Sequence, residues 1–417
     1  MFEADSGPAQ YPDQPAGAHC GSAASVVAGF SAWLLDAFDF FLGTFCLTSI
    51  AHEFHKSDAQ TALAITMTMI FRPVGGFVFG VLADRYGRRI PLMINMGAYT
   101  VAGILTGLAP GYTSLLAIRA LFGIVMGGTW GVGASLAMEG APVKYRGLLS
   151  GLLQEGYAAG NVLAAVLYFF FHWMGWRTLF ILSSLPAVPL FFFILYRVPE
   201  SAVWKQRTRP RLTWREQHRE ILSHWKLFLY LLAFMTMMMF ASHGTQDMYP
   251  TFLQRDWHMS PSQRAVVTAI SGIGAIAGGL SFGYYSDKRG RKRAIVTAFA
   301  LGTAVIPLWA WAPNVALLVT GAFLMQFMVQ GAWGVIPAHL SELSPDSVRA
   351  LLPGFAYQSA GVIASSVVYL EAIYASHTSY AAAMALTAVS VFVMAAVMAL
   401  LGHERRGQRF GQQAEEA

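Results

Sequence analysis

The sequence has few charged residues and only two cysteines for its length. Asp, Glu, Lys and Arg make up 12% of its 417 residues, whereas hydrophobic residues make up 55%. Soluble domains usually carry about 25% charged residues, so this composition argues against a soluble protein. Cys20 and Cys46 are too few for a disulfide framework or a cysteine-rich metal site.

Motifs of nucleotide and enzyme chemistry are also missing. The sequence has no GxxxxGK[ST] phosphate-binding loop, which argues against an ATP-driven pump. It shows no Ser/His/Asp constellation and no group of residues with the spacing of metal ligands. We therefore predict a protein that is not an enzyme and that needs neither a cofactor nor a metal ion.

Long apolar runs fill most of the chain. A helix needs about 20 apolar residues to cross a bilayer. Twelve such runs occur, near residues 22–50, 59–82, 91–109, 113–138, 147–171, 177–197, 226–253, 262–285, 294–312, 314–340, 350–373 and 379–401. We predict an all-α integral membrane protein with twelve spans. Its expected domains are tails at 1–20 and 403–417, six-helix bundles at 21–197 and 226–402, and a linker at 198–225.

Basic residues concentrate on one side of the predicted spans. With the N-terminus in the cytoplasm, 22 of the 28 Lys and Arg residues fall in cytoplasmic loops and tails, as the positive-inside rule requires. The net charge of +6 therefore needs no nucleic-acid partner, because the basic residues lack interleaved aromatic residues. Residues 1–20 have no signal-peptide pattern. We expect a monomer in the plasma membrane, a bacterial inner membrane, with both termini cytoplasmic.

The two halves of the chain repeat each other. GVLADRYGRR, which ends at Arg89, aligns with GYYSDKRGRK, which ends at Lys292, at an offset of 203 residues. TWGVGASLAMEGAPVKYRG aligns with AWGVIPAHLSELSPDSVRA at the same offset. The matched pairs include Asp84 and Asp287, Arg88 and Arg291, Trp130 and Trp333, Glu139 and Glu342, and Arg146 and Arg349. One constant offset over four helices predicts parallel repeats of six spans.

The doubled loop resembles the signature loop of the major facilitator superfamily, and RALFGIVMGG in the fourth span resembles its second motif. The resemblance implies that family's fold. Asp84 and Arg88, like Asp287 and Arg291, lie where a helix ends, so they are placed to pair across the interface in one conformation and separate in the other. We call these four residues the latch. The alternative is a plain positively charged loop, which explains the arginines but not the doubled aspartate and glycine.

Few ionisable residues lie within the apolar spans, where each costs at least about 2.5 kcal/mol and indicates function. Asp36 and Asp39 are three residues apart and lie on one face of the first span. Their charges would repel, so one of them would readily hold a proton. Arg119 in the fourth span is the expected partner. The alternatives are a permanent structural ion pair and a carboxylate that only lines a wet cavity.

Arg72 lies near the middle of the second span, in MTMIFRPVGGFVFG. A guanidinium can form two parallel hydrogen bonds to a carboxylate, which suits it to an organic-acid substrate. RPxGG here resembles the second span of proton-coupled organic-acid porters of the superfamily. The alternative is an ion pair of Arg72 with Asp36 or Asp39, and both interpretations hold if the substrate displaces the aspartate.

The seventh span ends in an unusually polar stretch, ASHGTQDMYPTFL. Five polar residues cover about half of the helix circumference: Ser242, His243, Thr245, Gln246 and Asp247. A polar face within a span must line a cavity, and Pro250 is expected to break the helix just beyond it. His243 and Asp247 are four residues apart and placed to share a proton; the alternative is a structural histidine.

This stretch also resembles the seventh-span signature [S/T]HX[S/T]QDXXXT of Jen-type monocarboxylate:proton permeases in the sialate:proton symporter group. The matching residues are Ser242, His243, Thr245, Gln246, Asp247 and Thr251. Met239 stands where the family motif opens with asparagine. LLDAFDFF in the first span is similar to the first helix of the same group. The resemblance implies transport of a monocarboxylate together with a proton.

The fifth and eleventh spans contribute further candidates in LLQEGYAAGN and PGFAYQSAG. The complete predicted substrate site is Arg72, His243, Gln246, Asp247, Gln154, Tyr157, Asn161, Tyr357 and Gln358. The predicted proton-coupling residues are Asp36, Asp39, Arg119, Glu155, His243 and Asp247. For Glu155 the alternative to a proton relay is an acid that only lines the cavity.

These observations predict a proton-coupled symporter of a small organic monocarboxylate, such as lactate or pyruvate, that works by alternating access in the lipid bilayer. Its partners would be the small organic anion and the proton. The alternative substrate is sialate or an aromatic acid. A different class, a non-transporting nutrient sensor on the same scaffold, usually has a long cytoplasmic domain, whereas the tails here have about 20 residues or fewer.

Overall fold

The computed structural model describes residues 16–206 and 213–411. Within these ranges, twelve helical spans are long and apolar enough to cross a membrane. In chain order they are Ala23–Phe45, Asp58–Tyr86, Arg89–Gly107, Tyr112–Gly140, Val143–Met174, Trp176–Arg197, Trp225–Arg255, Pro261–Arg289, Arg291–Ala310, Val315–Leu343, Leu351–His377 and Tyr380–Leu401. The predicted all-α architecture with twelve spans is confirmed, and the protein is a multi-pass membrane protein.

The ends of the predicted segments differ from the structure. The first helix is Ala16–Phe45, so residues 16–20, which the sequence analysis assigns to the tail, are helical. The rest of that tail, residues 1–15, lies outside the described residues, as do 207–212 of the linker and 412–417 at the C-terminus. The described linker contains a helix, Trp214–Ser223, whose first turn is capped by the side chain of Thr213.

Four spans consist of two α-helices each. The helix pairs are Arg146–Gln154 with Gly156–Phe171 in the fifth span, Trp176–Ser184 with Ala187–Arg197 in the sixth, Trp225–Gln246 with Tyr249–Arg255 in the seventh, and Leu351–Ala364 with Val367–His377 in the eleventh. In the seventh span the break comes just before Pro250, which lies in the first turn of the following helix. Proline has no N–H to continue the preceding helix but fits a first turn well, so the break follows from the sequence as expected.

The second and eighth spans begin and end in the same way, as repeats should. Ser57 and Ser260 each accept a hydrogen bond from the backbone N–H three residues later, at 3.2 and 3.3 Å, which caps the first turn. At the other end, Gly87 and Gly290 have φ angles of 101° and 102°, a region that glycine adopts without steric cost. This turn explains the glycine that the two aligned loops share.

The two halves meet at the end of the bundle where the linker lies, which we call the linker end. Helix Arg146–Gln154 contacts the eighth and tenth spans, and helix Leu351–Ala364 contacts the second and fourth. The outer helices of the same spans, Gly156–Phe171 and Val367–His377, make their principal contacts within their own half. The halves therefore meet mainly at the linker end, and we call the space between them toward the opposite end the cleft.

Candidate functional site

Arg72 connects the two halves across the closed part of the cleft. Its Nη2 donates to Oδ2 of Asp36 in the first span, and its Nε donates to Oε1 of Gln358 in the eleventh span at 2.9 Å. The amide nitrogen of Gln358 in turn donates to the carbonyl oxygen of Gly127 at 3.1 Å. Of the two alternatives for Arg72, the structure shows the ion pair with Asp36. Oδ1 of Asp36 is buried and has no hydrogen-bond partner among the described residues.

Close backbone packing fixes where the Arg72 side chain begins. A Cβ at Gly127 in the fourth span would collide with the carbonyl oxygen of Arg72, and a Cβ at Gly75 would collide with the backbone of Ile124. Small residues let helices in a membrane approach at this distance. The glycines that follow Arg72 in RPVGG thus hold the arginine between the first, fourth and eleventh spans.

Asp39 forms a second buried ion pair in the N-terminal half. Its Oδ2 accepts a hydrogen bond from Nη1 of Arg119 at 2.8 Å, while Nε of Arg119 donates to the Thr68 hydroxyl at 3.1 Å. The guanidinium also lies 4.6 Å from the ring centre of Phe122, a cation–π contact. The structure thus brings Asp39 and Arg119 together and gives each aspartate of the first span its own arginine.

His243 and Asp247 form the polar wall of the C-terminal half that faces the cleft. Nδ1 of His243 lies 3.0 Å from Oδ2 of Asp247, and the two side chains are 38% and 39% exposed. A pair that is this open to the cleft can exchange protons with water or contact a solute. The structure therefore brings these two predicted residues together at the cleft surface, separate from the Asp36–Arg72 pair.

The other polar residues of the seventh span bind the tenth span. Gln246 donates its amide N–H to Oε1 of Gln326 at 2.7 Å, and Gln330 donates to the Ser242 hydroxyl at 3.2 Å. Thr245 is buried and lies 3.3 Å from the amide nitrogen of Gln326. Gln246 is therefore engaged by a partner that the sequence analysis did not consider, and Gln326 and Gln330 join the list of cleft residues.

Five aromatic residues from both halves pack between the first, fourth, fifth, tenth and eleventh spans. We call Trp33, Trp130, Tyr157, Trp333 and Tyr357 the aromatic cluster. Tyr357 is stacked on Trp130 with ring centres 4.3 Å apart, and its edge contacts Trp33 at 5.7 Å and Trp333 at 5.9 Å. Trp33 is stacked on Tyr157 at 5.7 Å. Both tyrosines lie within reach of the charges of Arg72 and Asp36.

The remaining candidates of the fifth span lie in different surroundings. Gln154 accepts a hydrogen bond from the indole N–H of Trp130 at 3.3 Å and so supports the aromatic cluster. Asn161 is exposed on the outer helix of the span. Glu155 lies at the break of this span, where its Oε1 would collide with a Cβ on Gly279 of the eighth span. Glu155 thus faces the other half rather than the Asp36–Arg72 pair.

The two latch aspartates bind backbone amides across the interface. Asp84 accepts hydrogen bonds from the N–H groups of Ala350 and Leu351 at 3.1 and 3.0 Å. Asp287 accepts bonds from the N–H groups at 147 and 148, at 2.7 and 2.9 Å. Both pairs of donor N–H groups lie at the start of a helix, where free N–H groups and the helix dipole favour a negative charge. The two contacts are equivalent by the offset of 203 residues.

The ion pairs that the structure shows for Arg88 and Arg291 lie within their own halves. Arg88 binds Asp84 at 3.2 Å and Glu139 at 2.9 Å within its own half. Arg291 binds Asp287 and Glu342 in the same way, at 2.8 and 2.9 Å. The spacing of four residues places each Asp–Arg pair on one helix boundary, so the arginine orients the aspartate while the aspartate makes the contact between halves.

Two arginines at the linker-end starts of the fifth and eleventh spans complete the closed end. Arg146 binds Glu342 of the other half at 3.1 Å, and its repeat mate Arg349 lies 3.5 Å from Glu139. Burial opposes the charge of Arg88 in this network, but Glu139, Asp84 and Glu200 outweigh that effect and hold the pKa of Arg88 above its ordinary value. Each of the four arginines at the closed end, Arg88, Arg146, Arg291 and Arg349, therefore has at least one acidic partner.

One buried acid escaped the sequence analysis. Glu371 lies in the eleventh span and is 2% exposed. It follows the same rule as Asp36, because an acid within an apolar run is costly and indicates function. The signal was present in VVYLEAIY, and it was missed because the predicted span ends at residue 373, which placed Glu371 at its edge.

The chain matches the family described as Major Facilitator Superfamily over residues 28–249 and 233–417. It is 28% identical to a carboxylic acid transporter protein homolog of Saccharomyces cerevisiae, covering 90% of this chain and 67% of that protein. It is also 28% identical to the sialic acid transporter NanX of Escherichia coli, covering 91% and 94% of the two chains. A solved structure of the proton:xylose symporter XylE superposes with a TM-score of 0.71 at 18% identity, covering 94% of this chain and 98% of that one.

The family match covers almost the whole chain, and the superposition shows the same fold. The doubled loops, the two bundles and the central cleft are those of one architecture. The chain therefore belongs to the Major Facilitator Superfamily and is a membrane transporter rather than an enzyme.

Proposed function

We propose that the protein is a symporter that moves a small organic monocarboxylate together with one or more protons. The observation that carries the proposal is the buried Arg72, which is paired with Asp36 and also held by Gln358 of the opposite half. A guanidinium in this position can bind a carboxylate, and the carboxylate that it binds in this structure is the side chain of Asp36. The names of the relatives, a carboxylic acid transporter homolog and a sialic acid transporter, support an organic acid as the substrate.

Competition for Arg72 couples the substrate to the proton. A substrate carboxylate that binds the guanidinium displaces Asp36, which then lies buried without a cationic partner. A buried charge without a partner costs several kcal/mol, so Asp36 takes up a proton from the cleft as it is displaced. Substrate and proton therefore enter the site together and leave it together. Asp39 and Arg119 remain paired and hold the first span in place.

The C-terminal half supplies the rest of the substrate site. His243 and Asp247 face the cleft, where they bind the substrate or pass protons to the buried pair. The amides of Gln246, Gln326 and Gln330 present hydrogen-bond donors and acceptors for a hydroxyl or keto group of the acid. Tyr157 and Tyr357 of the aromatic cluster border the site, since both lie within reach of the charges of Arg72 and Asp36.

The positive-inside rule gives the orientation. Since the loops at the linker end carry most of the Lys and Arg residues, this end lies in the cytoplasm and both termini are cytoplasmic. The structure then represents a conformation that is open to the outside and closed to the cytoplasm. The protein works as a monomer in the plasma membrane, because each chain contains a complete cleft.

Opening toward the cytoplasm requires that the latch contacts break. Asp84 and Asp287 must leave the amides of the opposite half, and Arg146 must separate from Glu342. Each aspartate keeps its arginine within its own half after separation, and Glu139 and Glu342 likewise keep Arg88 and Arg291. Arg146 gives up its ion pair with Glu342. A closed end that keeps most of its ion pairs when it opens suits a repeated conformational cycle.

A second substrate class, sialate or an aromatic acid, is favoured by the aromatic cluster. Aromatic faces pack well against planar or ring-shaped ligands, and Trp33, Trp130 and Tyr357 lie beside the Arg72 site. Lactate and pyruvate are too small to cover the faces of these aromatic rings while they bind Arg72. Substrate size therefore decides between the two classes.

Uptake into proteoliposomes tests the proposal. The purified protein is reconstituted and given labelled lactate, pyruvate, acetate, sialate or benzoate, with and without an inward proton gradient. We expect accumulation of lactate or pyruvate that an uncoupler abolishes. Accumulation of sialate or benzoate instead selects the second class. Binding without uptake indicates a sensor, and uptake that ignores the proton gradient refutes symport.

Variants of Arg72 test the carboxylate site. Removal of one partner of a buried pair costs about 3 to 5 kcal/mol, so Arg72→Ala should abolish binding at concentrations that saturate the wild type. Arg72→Lys keeps the charge but loses the planar fork and should weaken binding in a folded protein. Arg255→Ala removes an exposed positive charge from the seventh span and is the control. Near-native binding by Arg72→Ala would move the carboxylate site to Arg119 or His243.

A further inference from the structure

Glu371 is a buried carboxyl group with no ion pair and no well-formed hydrogen bond. It lies in the outer helix of the eleventh span, Val367–His377, and is 2% exposed. Neither Oε1 nor Oε2 has a hydrogen-bond partner of good geometry among the described residues, although the hydroxyl of Thr387 is close enough to interact with it. An ionised carboxylate in such a place would lose its hydration with little in return.

Among the described residues, the helices that pack against Glu371 place no lysine or arginine beside it. The twelfth span, Tyr380–Leu401, contributes Thr387 and has no charged residue in its range. The seventh span contributes Gly244, where a Cβ would lie 3.2 Å from Oε1 of Glu371 and 2.9 Å from the methyl group of Thr387. The ionisable groups of that span near this contact are His243 and Asp247. Asp247 acts on Glu371 with a charge of the same sign.

We infer that Glu371 is a second proton-binding site, occupied in the conformation described here and emptied when the seventh and eleventh spans separate. The proton comes from water in the cleft, forms an O–H bond on one carboxylate oxygen, and returns to water when the site is hydrated. The inference goes beyond the proposed symport, because Glu371 contacts neither Arg72 nor Asp36 and belongs to the other half.

The seventh span explains how the site would be opened. Its helix ends at Gln246 and restarts at Tyr249, so the segment around the break can move without unwinding a long helix. Gly244 lies just before this break, and its missing side chain lets the eleventh span approach. A shift of the seventh span would admit water beside Glu371 and favour its ionised form. Proton binding at Glu371 therefore stabilises the packing of these two spans, and alkaline solution favours their separation.

Infrared spectroscopy of the purified full-length protein tests the site directly. A protonated carboxyl group has a carbonyl stretch well separated from the bands of a carboxylate. We expect the wild type at neutral pH to show a band of this kind that Glu371→Gln lacks. The control Glu53→Gln, which changes an exposed glutamate paired with Arg177, should keep the band. An unchanged protonated-carboxyl band in Glu371→Gln would overturn the inference.

A second variant keeps the test valid if Glu371→Gln does not fold. Gly244→Ala places a methyl group against Glu371 and Thr387 and should shift the frequency of the same band. Gly272→Ala on the eighth span, where a Cβ meets nothing within 4 Å, is the matched control and should leave it unchanged. A band that Gly244→Ala leaves at the wild-type frequency contradicts the placement. These spectra need no substrate, so failure here leaves the proposed symport untouched, and failure of symport leaves the spectra unchanged.

The functional consequence is a change in the pH profile. In the wild type, exchange of labelled substrate between two equal pools should fall as the solution becomes alkaline and Glu371 loses its proton. Glu371→Gln is neutral at every pH and should keep its rate into that range, while Glu53→Gln should follow the wild type. Identical profiles for Glu371→Gln and the wild type would count against a proton site at this position.

Discussion

Replacement of Asp36 by asparagine separates substrate binding from proton coupling. In the wild type, the carboxylate of Asp36 accepts a hydrogen bond from Nη2 of Arg72, so a substrate must displace Asp36. Asparagine has the same shape but no charge, and it cannot take up a proton when it is displaced. We expect Asp36→Asn to bind the organic acid more tightly than the wild type and to lose proton-driven accumulation.

The gain in affinity follows from the bond that the substrate must break. A hydrogen bond to a charged group contributes about 1.5 to 3 kcal/mol, and a neutral one about 0.5 to 1.5 kcal/mol. Asparagine can still accept a bond from the charged guanidinium of Arg72, so the substitution weakens the competitor by at most about 1.4 kcal/mol rather than removing it. This upper value corresponds to binding that is about tenfold tighter.

Equilibrium binding to the detergent-solubilised protein measures the affinity, and uptake under an imposed proton gradient measures the coupling. Binding to Asp36→Asn should also become less dependent on pH, because the group that competes in its charged form is gone. The matched control is Asp39→Asn, three residues along the same helix, whose partner is Arg119; it should not tighten binding. Unchanged affinity in Asp36→Asn, or uphill accumulation that survives the substitution, would refute the competition for Arg72.

Two further predictions concern the closed end. Asp84→Asn weakens the charge-assisted bonds to the amides of the eleventh span and should slow substrate exchange while leaving substrate affinity nearly unchanged. The control Asp58→Asn, at the other end of the second span, should not affect exchange. Loss of binding with normal exchange would argue against a latch. Gly87→Ala forces a side chain into a φ of 101° and should lower the stability by more than about 1 kcal/mol. Gly97→Ala, where a Cβ would lie 3.6 Å from Phe191, is the control in thermal unfolding, and equal melting temperatures would contradict the strain.

The spans and the repeat could be predicted from the sequence because they depend on properties that single residues carry. A bilayer requires about 20 apolar residues for each helix, so twelve runs predict twelve spans. The offset that aligns Asp84 with Asp287 also aligns Gly87 with Gly290, and these glycines have the same φ in the structure. Pro250 predicted the break of the seventh span. Proline has no backbone N–H to donate to the preceding helical turn, and its ring collides with the carbonyl group four residues earlier.

Contacts between distant residues were harder to predict. The position of Asp84 and Arg88 at a helix end suggested contacts across the interface, but the amides of Ala350 and Leu351 that bind Asp84 carry no sequence signal, because every residue except proline has a backbone N–H. The role of Gln358 as a ligand of Arg72 likewise depends on how the two halves meet. Gln326 escaped notice for the same reason, since a glutamine in an apolar span is informative only when its partner is known.

The symmetry of the two halves is complete at the closed end and absent in the cleft. Each half contributes one aspartate to the amides of the other at equivalent positions. The offset of 203 residues, however, places Ala275 opposite Arg72 and Ala322 opposite Arg119, so these two buried arginines of the N-terminal half have no counterparts at the equivalent positions of the C-terminal half. The two halves move relative to each other when the closed end opens, and this shared motion favours equivalent contacts from both halves. A substrate carboxylate needs one cation, and a second buried arginine would need a further acid to compensate it. The repeat is therefore present at the closed end, where both halves make the same contacts, and absent in the cleft, where a second buried arginine would be costly.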